Sequence, residues 1–289
     1  MIVRTDDDGG RGMWSGDELD LDAYLERIGY AGPLEPTAET LAGVHRAHVT
    51  SVPFENLDVA LGRPVPLDLP SVQDKLVRRR RGGYCYEQNS LLAAALERLG
   101  FEVAGRGARN RTRGAELTPV THAVLVVAAG GRSWLADAGF GHQGPLEPVP
   151  LDAPGEVRQG PWTYGIGRED DGILVLRMLR DEGWRDLYAF APQRTYAVDL
   201  VPMNHYSSTH PRSHFTGQIV VQRAGEELRA ALVRDTLTEL RADGSTGRRA
   251  VGPAELAGLL AREFGIELPE ADTAELVGTY WPGVRTGPR

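Results

Sequence analysis

R-G-G-Y-C-Y-E-Q-N-S-L-L-A-A-A-L-E-R-L-G, residues 81 to 100, divides the chain into two kinds of structure. Its glycine pair permits a tight turn, Tyr84 to Leu99 then carries apolar residues at helical spacing, and Gly100 stands where a helix takes its C-cap. Cys85 therefore falls at or near a helix N-terminus. From Phe101 the apolar period changes to two. Val120 to Ala129 and Ser133 to Asp137, separated by Gly130-Gly131, read as a β-hairpin. Helix before residue 100 and strand after it define an α+β fold.

Outward from this division, Leu21, Leu25 and Ile28 share one helical face, Leu41, Val44 and His48 repeat that spacing after Pro36-Thr37, and Ser71 to Val77 predicts a third helix. Residues 1–17 offer little to bury against the entropy of ordering and read as a flexible lead-in. Towards the C-terminus, Ile173 to Leu179, Leu187 to Phe190 and Gln218 to Val221 predict strands, with strands dominating to about Val221. Separated by segments rich in Gly, Pro and Asp, they suggest a β-barrel or strongly curved sheet. Leu256, Leu259, Leu260 and Phe264 then predict a closing helix that stops at Gly265.

The 289 residues are enough for one body of two or three subdomains. Against 32 Lys and Arg stand 40 Asp and Glu, a formal charge of -8, which opposes attraction to nucleic acid or anionic membrane. No stretch approaches the ~18 consecutive apolar residues of a membrane span, and the acidic N-terminus has no apolar signal core. A single cysteine excludes an internal disulfide and a Cys-rich zinc site, and a reducing cytoplasm fits best.

That one cysteine, Cys85, has the setting of a nucleophile: glycines for close approach and a helix dipole that favours thiolate. A buried apolar cysteine is the alternative. His122, in V-T-H-A-V-L-V-V, and Asp137, in W-L-A-D-A-G-F-G, lie on neighbouring strands of the hairpin, within reach of a hydrogen bond. Singly they read as a core histidine and a turn-capping aspartate. Together with Cys85 they form a workable triad, in which imidazole takes the thiol proton and carboxylate fixes the tautomer and stabilises the cation. The order Cys, His, Asp equally suits papain-like and transglutaminase-like enzymes.

P-F-E-N-L-D at 53–58, R-R-R-G-G-Y-C-Y-E-Q-N at 79–89, T-H-A-V-L at 121–125, D-A-G-F-G at 137–141 and S-T-H-P-R-S-H-F at 208–215 resemble, in order, the signature blocks of the arylamine N-acetyltransferases. The resemblance implies an N-terminal helical bundle bearing Cys85 (18–100), a central β-barrel bearing His122 and Asp137 (101–205) and a C-terminal α/β lid (206–289). It implies a ping-pong reaction: acetyl-CoA acylates Cys85 and a small aromatic amine or hydrazine attacks the thioester. It further implies that Phe54, Phe140 and Phe215 line the acceptor pocket, and that Thr121, Gly139 and Gly141 lie along the CoA approach; the charge and the lack of ligand spacings, not the resemblance, lead to the expectation of no metal and no nucleic-acid or membrane partner. His142 stands where bacterial members usually have glycine, so a polar ring is expected to narrow the CoA entrance. Ala138 replaces the usual valine. An amide synthase of related sequence, which takes a polyketide chain from a carrier protein, shares triad and fold. A thiol hydrolase is disfavoured by the F-E-N-L and S-T-H-P-R-S blocks, and a degenerate binding module by the retained triad residues.

Other signals carry less. Arg78 to Arg81 reads as a partly solvated helix end rather than a nucleic-acid patch, and the family resemblance, through its shared P-F-E-N and R-G-G-Y-C blocks, implies that Arg81 pairs with Glu55 and holds the Cys85 loop. Gly105-Arg106-Gly107 lacks the third glycine and following helix of a dinucleotide fingerprint. His205, His210 and His214, like His45 and His48, have no carboxylate at ligand spacing and read as surface or packing histidines.

Overall fold

The computed structural model describes residues 12–114, 116–152 and 155–281. The chain opens with α1 (Leu21–Ile28), capped by Asp20 and closed by Gly29 in the left-handed region, and α2 (Ala38–Ser51), capped by Thr37. A two-residue strand β1 (Phe54–Glu55) and a short α3 (Leu57–Ala60) follow. Then comes α4 (Leu69–Gln73), which passes into a π-helical turn over Asp74–Arg78. Helix α5 (Cys85–Arg98) begins at the cysteine, one residue inside the predicted span of Tyr84 to Leu99, with Tyr84 as its N-cap. Of the lead-in over 1–17, residues 1–11 lie outside the described residues. The remainder packs down: Trp14 is buried, and the Glu97 side chain accepts from the N–H groups of Trp14 and Gly16.

The strands after α5 are β2 (Glu102–Asn110), β3 (His122–Ala129), β4 (Arg132–Ala136), β5 (Val149–Pro150), β6 (Val157–Gln159), β7 (Trp162–Arg168), β8 (Leu174–Arg180) and β9 (Gly183–Phe190). They pair antiparallel in the order β5-β4-β3-β2-β9-β8-β7-β6, a sheet curled until its two ends nearly meet. Gln159 bridges that seam from β6: its Oε1 accepts from the N–H of Leu146 and Glu147, and its Nε2 donates to the Glu147 carbonyl. This is the expected barrel, closed at the seam by a side chain rather than by a strand ladder.

Next comes α6 (Leu200–Thr209), a helix inside the region read as strand, which also runs across the 205/206 division. Its sequence L-V-P-M-N-H-Y-S-S-T has no apolar stripe to announce it. Pro202 is tolerated because it falls in the first turn, where its missing N–H has no helical partner to lose. The last part holds β10 (Val220–Arg223), β11 (Leu228–Val233), β12 (Thr236–Arg241), β13 (Thr246–Ala250), α7 (Leu256–Phe264) and α8 (Glu270–Tyr280). The second sheet has the order β1-β10-β11-β12-β13, so Phe54-Glu55 from the helical part is its edge strand, Phe54 facing Gln222 and Glu55 facing Val221.

Two apolar cores result. The larger one fuses the helices with the barrel, and the smaller gathers Leu57 from α3 with Val221, Leu232, Leu259 and Phe264. Asn56 links them: its Nδ2 donates to the carbonyls of Phe215 and Gln218, and its Oδ1 accepts from Val220 N–H at 2.7 Å. No helix among the described residues is long and apolar enough to cross a membrane.

Candidate active site

Helix α5 presents Cys85 in its first turn, where free backbone N–H groups and the helix dipole favour negative charge. The turn before it is held by Glu87, which accepts from Tyr84 N–H at 2.9 Å and from Lys75 Nζ at 2.8 Å. Lys75 also reaches Asp58 at 2.6 Å, and Arg81 pairs with Glu55 at 2.7 Å, the contact expected from the sequence. A buried cluster of three carboxylates and two cations thus underlies the Cys85 turn. Burial pushes Glu87 up, with Lys75 opposing and Glu55 adding to the rise.

His122 opens β3 and Asp137 follows the last residue of β4, on antiparallel neighbours whose register pairs Leu125 with Ala136. His122 Nε2–H donates to Asp137 Oδ2 at 2.8 Å, both side chains being buried. That bond leaves Nδ1 as the nitrogen free to meet the thiol. Cys85 Sγ lies 3.8 Å from the carbonyl oxygen of Thr121, the residue before His122. Burial by itself would lower the His122 pKa, but the Asp137 charge and hydrogen bond, aided by Cys85, push it up to about 10. Burial acts to raise the Asp137 pKa, and the histidine, Asn89 and the Gly139 N–H overcome it and hold the carboxyl below its ordinary value.

The rest of the Asp137 environment was not singled out from the sequence. Asn89, four residues after Cys85 and so on the same helix face, donates to Asp137 Oδ1 at 2.9 Å and accepts from Ala138 N–H at 3.0 Å. Gly139 N–H donates to Oδ1 at 2.8 Å, and His45 Nε2 accepts from Asp137 N–H at 2.9 Å. Tyr188 of β9 sets its ring 4.9 Å from that of His122, closing the floor of the dyad. The helical spacing in Y-C-Y-E-Q-N could have pointed to Asn89; nothing local pointed to Tyr188.

A cavity of about 390 Å³ opens over the thiol, and Phe54, Phe140, Phe215, Thr121 and Gly139 all line it together with Cys85 and His122. Phe54 and Phe215 face each other at 5.8 Å, drawn from the two ends of the chain. Gly141 stands behind this wall, in the left-handed region at φ 78°, where a Cβ would overlap Gln222 Oε1. His142 is in the wall, its N–H donating to Gln222 Oε1 at 3.0 Å and its carbonyl accepting from Arg229 at 2.8 Å. Burial holds its pKa down to about 4, so its ring is neutral. Among the described residues no carboxylate lines this cavity, whereas Arg113 and Arg212 do. Tyr206 and Ser207 bring α6 to the same rim, Ser207 bonding Tyr86 at 3.0 Å. His214 contacts Arg113 and Gln218, and His210 stacks on Tyr206, while His205 lies on the surface.

A family model described as N-acetyltransferase matches residues 37–273, which span every element from α2 to α7. The chain belongs to the arylamine N-acetyltransferases. The arylamine N-acetyltransferase of Mycolicibacterium smegmatis is 39% identical over 257 residues, 86% of this chain and 93% of that protein. Among solved arylamine N-acetyltransferases, that of Nocardia farcinica superposes with a TM-score of 0.88 at 45% identity, covering 93% of this chain and 96% of its own. The Mycobacterium marinum enzyme in complex with CoA gives 0.84 at 32% identity, covering 90% and 99%. This arylamine N-acetyltransferase is therefore an acetyl-transferring enzyme, and its helical start, barrel and α/β end are the fold that the resemblance implied.

Proposed function

We propose that the chain moves an acetyl group from acetyl-CoA to the nitrogen of a small arylamine or arylhydrazine, in the cytoplasm, by way of a thioester on Cys85. The observation that carries this reading is the 2.8 Å bond from His122 Nε2 to buried Asp137, in the wall of the cavity that also exposes Cys85. His122, whose pKa lies near 10, takes the thiol proton before sulfur attacks the acetyl carbonyl. The tetrahedral oxyanion forms beside the Cys85 N–H at the start of α5, a donor aimed where charge develops. Its collapse breaks the bond to CoA sulfur, and His122 returns the proton to CoA as thiol. In the second half, the amine attacks the Cys85 thioester, His122 accepts its proton, and Cys85 leaves with that proton restored. Asp137 stabilises the imidazolium throughout.

Phe54, Phe140 and Phe215 supply an apolar bed for the ring of the acceptor, and they keep water from the thioester. Thr121 and Gly139 border the path to the sulfur, and the cations Arg113 and Arg212, with no carboxylate beside them among the described lining residues, suit the phosphates of CoA. The M. marinum relative crystallised with CoA favours the same donor.

The test is intact mass. Wild-type protein mixed with acetyl-CoA and no amine should carry one acetyl group on Cys85, which an arylhydrazine then discharges. If neither wild type nor His142→Gly is acetylated at millimolar acetyl-CoA, this reading fails, and an acyl thioester on a carrier protein becomes the donor to try. Acetylation of the glycine variant alone would assign a changed donor entrance to His142.

A further inference from the structure

Among the buried titratable groups that the mechanism does not use are His45 and His48, one turn apart on α2 and both fully enclosed. Each has both ring nitrogens bonded, and the partners fix the tautomers. Asp137 N–H can only donate, so His45 Nε2 carries the lone pair, and the proton sits on Nδ1, donated to the Leu146 carbonyl at 3.0 Å. Gln88 spends its amide N–H groups on the carbonyls of Pro53 and Gly83, so its Oε1 accepts from His48 Nε2–H at 2.7 Å. His48 Nδ1 then accepts from Tyr24 hydroxyl at 2.9 Å. Both rings are neutral, and burial holds both below the ordinary histidine range.

These bonds tie one rigid turn of α2 to both halves of the site. His48 grips Gln88, three residues beyond Cys85 on α5, and His45 grips the main chain of Asp137, whose carboxylate orients His122. We propose that His45 is a positioning residue, an obligately neutral imidazole that sets Asp137, and through it His122, at its working distance from Cys85. The proposal rests on the reading of Asp137 as the catalytic partner of His122. Asp137 has its carboxylate held by Asn89 and Gly139, but its main chain is anchored across 92 residues only by this ring among the described side chains.

Two substitutions of similar size separate positioning from packing. Glutamine can place an amide oxygen where Nε2 stood and accept from Asp137 N–H. Asparagine reaches only the Nδ1 position and keeps the bond to Leu146. A purely structural role gives no reason for the first to outperform the second.

The experiment compares His45→Gln and His45→Asn with wild type in two assays: the rate at which acetyl-CoA labels Cys85, and the rate at which iodoacetamide alkylates it, clean because the chain has one cysteine. His45→Gln should stay within about threefold of wild type, while His45→Asn should fall roughly 10- to 100-fold in both, with KM for the arylamine unchanged, as expected of reacting groups displaced by a fraction of an ångström. Alkylation needs no acyl donor and decides the matter: slow alkylation of His45→Asn beside fast alkylation of His45→Gln upholds the role even if acetyl-CoA labels nothing. Equal alkylation of the two overturns it. Should His45→Asn fail to fold, ¹⁵N NMR of the wild-type ring replaces the comparison. A proton on Nδ1 alone is expected, and a proton on Nε2 overturns the proposal.

Discussion

Gly139 faces Cys85 so closely that a Cβ added to the glycine would come within 2.6 Å of the Cys85 α-carbon and 2.9 Å of its carbonyl oxygen. The turn after β4 thus lies directly on the first turn of α5, which is how a residue from the barrel and a residue from the helices come to share one cavity. The Gly139→Ala substitution should force the two apart. We expect a loss of about 1–3 kcal/mol in unfolding free energy by urea titration, and a larger loss in the rate of Cys85 acetylation than in affinity for the arylamine. Wild-type rates in a well-folded alanine variant would contradict this close approach.

Asp137→Asn keeps the shape of the carboxylate but cannot stabilise an imidazolium, and its amide can select the wrong tautomer of His122. Turnover should fall by about 10⁴-fold, the cost of the analogous change in a serine triad, with circular dichroism unchanged. Near-normal acetyl transfer by the folded variant would remove Asp137 from the chemistry.

The histidines set a stability optimum. His48, held down to about 3, and His45, also lowered, stay neutral in the fold, while in the unfolded chain they take protons near pH 6.5. Their contribution is complete above that value and is lost as pH falls through it, by up to about 1.4 kcal/mol per pH unit for each group. His122, raised to about 10, acts oppositely: its contribution is complete below pH 6.5 and is lost as pH rises towards 10. Urea unfolding should show a maximum near pH 6.5, and His48→Gln should flatten the acid limb. A flat profile from pH 5 to 9 would be incompatible with neutral buried rings.

Lys75 is the cation shared by Asp58 and Glu87 beneath the Cys85 turn, at 2.6 and 2.8 Å. Lys75→Met fills the space but leaves buried carboxylates without their partner, so stability should fall by about 3–5 kcal/mol. Adding Glu87→Gln to that variant should recover part of the loss, measured as a partial return of the urea midpoint. No recovery would mean that Glu87 does not depend on Lys75.

What was legible in the sequence was whatever a few neighbouring residues encode. The start of α5 at Cys85, the hairpin bearing His122 and Asp137, and the stop of α7 at Gly265 each follow from period, turn chemistry and capping, and all are present. Helix α6 was lost for the same reason, because it has no apolar stripe and is held by buried Leu200 and by polar contacts of Asn204 and Ser207 with Tyr84 and Tyr86. Strands β11 to β13 went unread because none alternates buried with exposed residues: β11 is buried continuously over Arg229 to Leu232, β12 buries only Leu237, and β13 is exposed along its whole length.

The sequence by itself determined the residue types, their order and the local elements that carry them, since these depend on backbone preferences over one or two turns. Only the tertiary structure decided what those residues meet. Phe54 joins a strand 166 residues further on and faces Phe215. His45, dismissed as packing, meets Asp137 across 92 residues. Such contacts leave no periodic trace in the chain, because they are made by the packing of whole helices and sheets. A buried N–H or carboxylate then requires a partner from whichever element that packing brings against it.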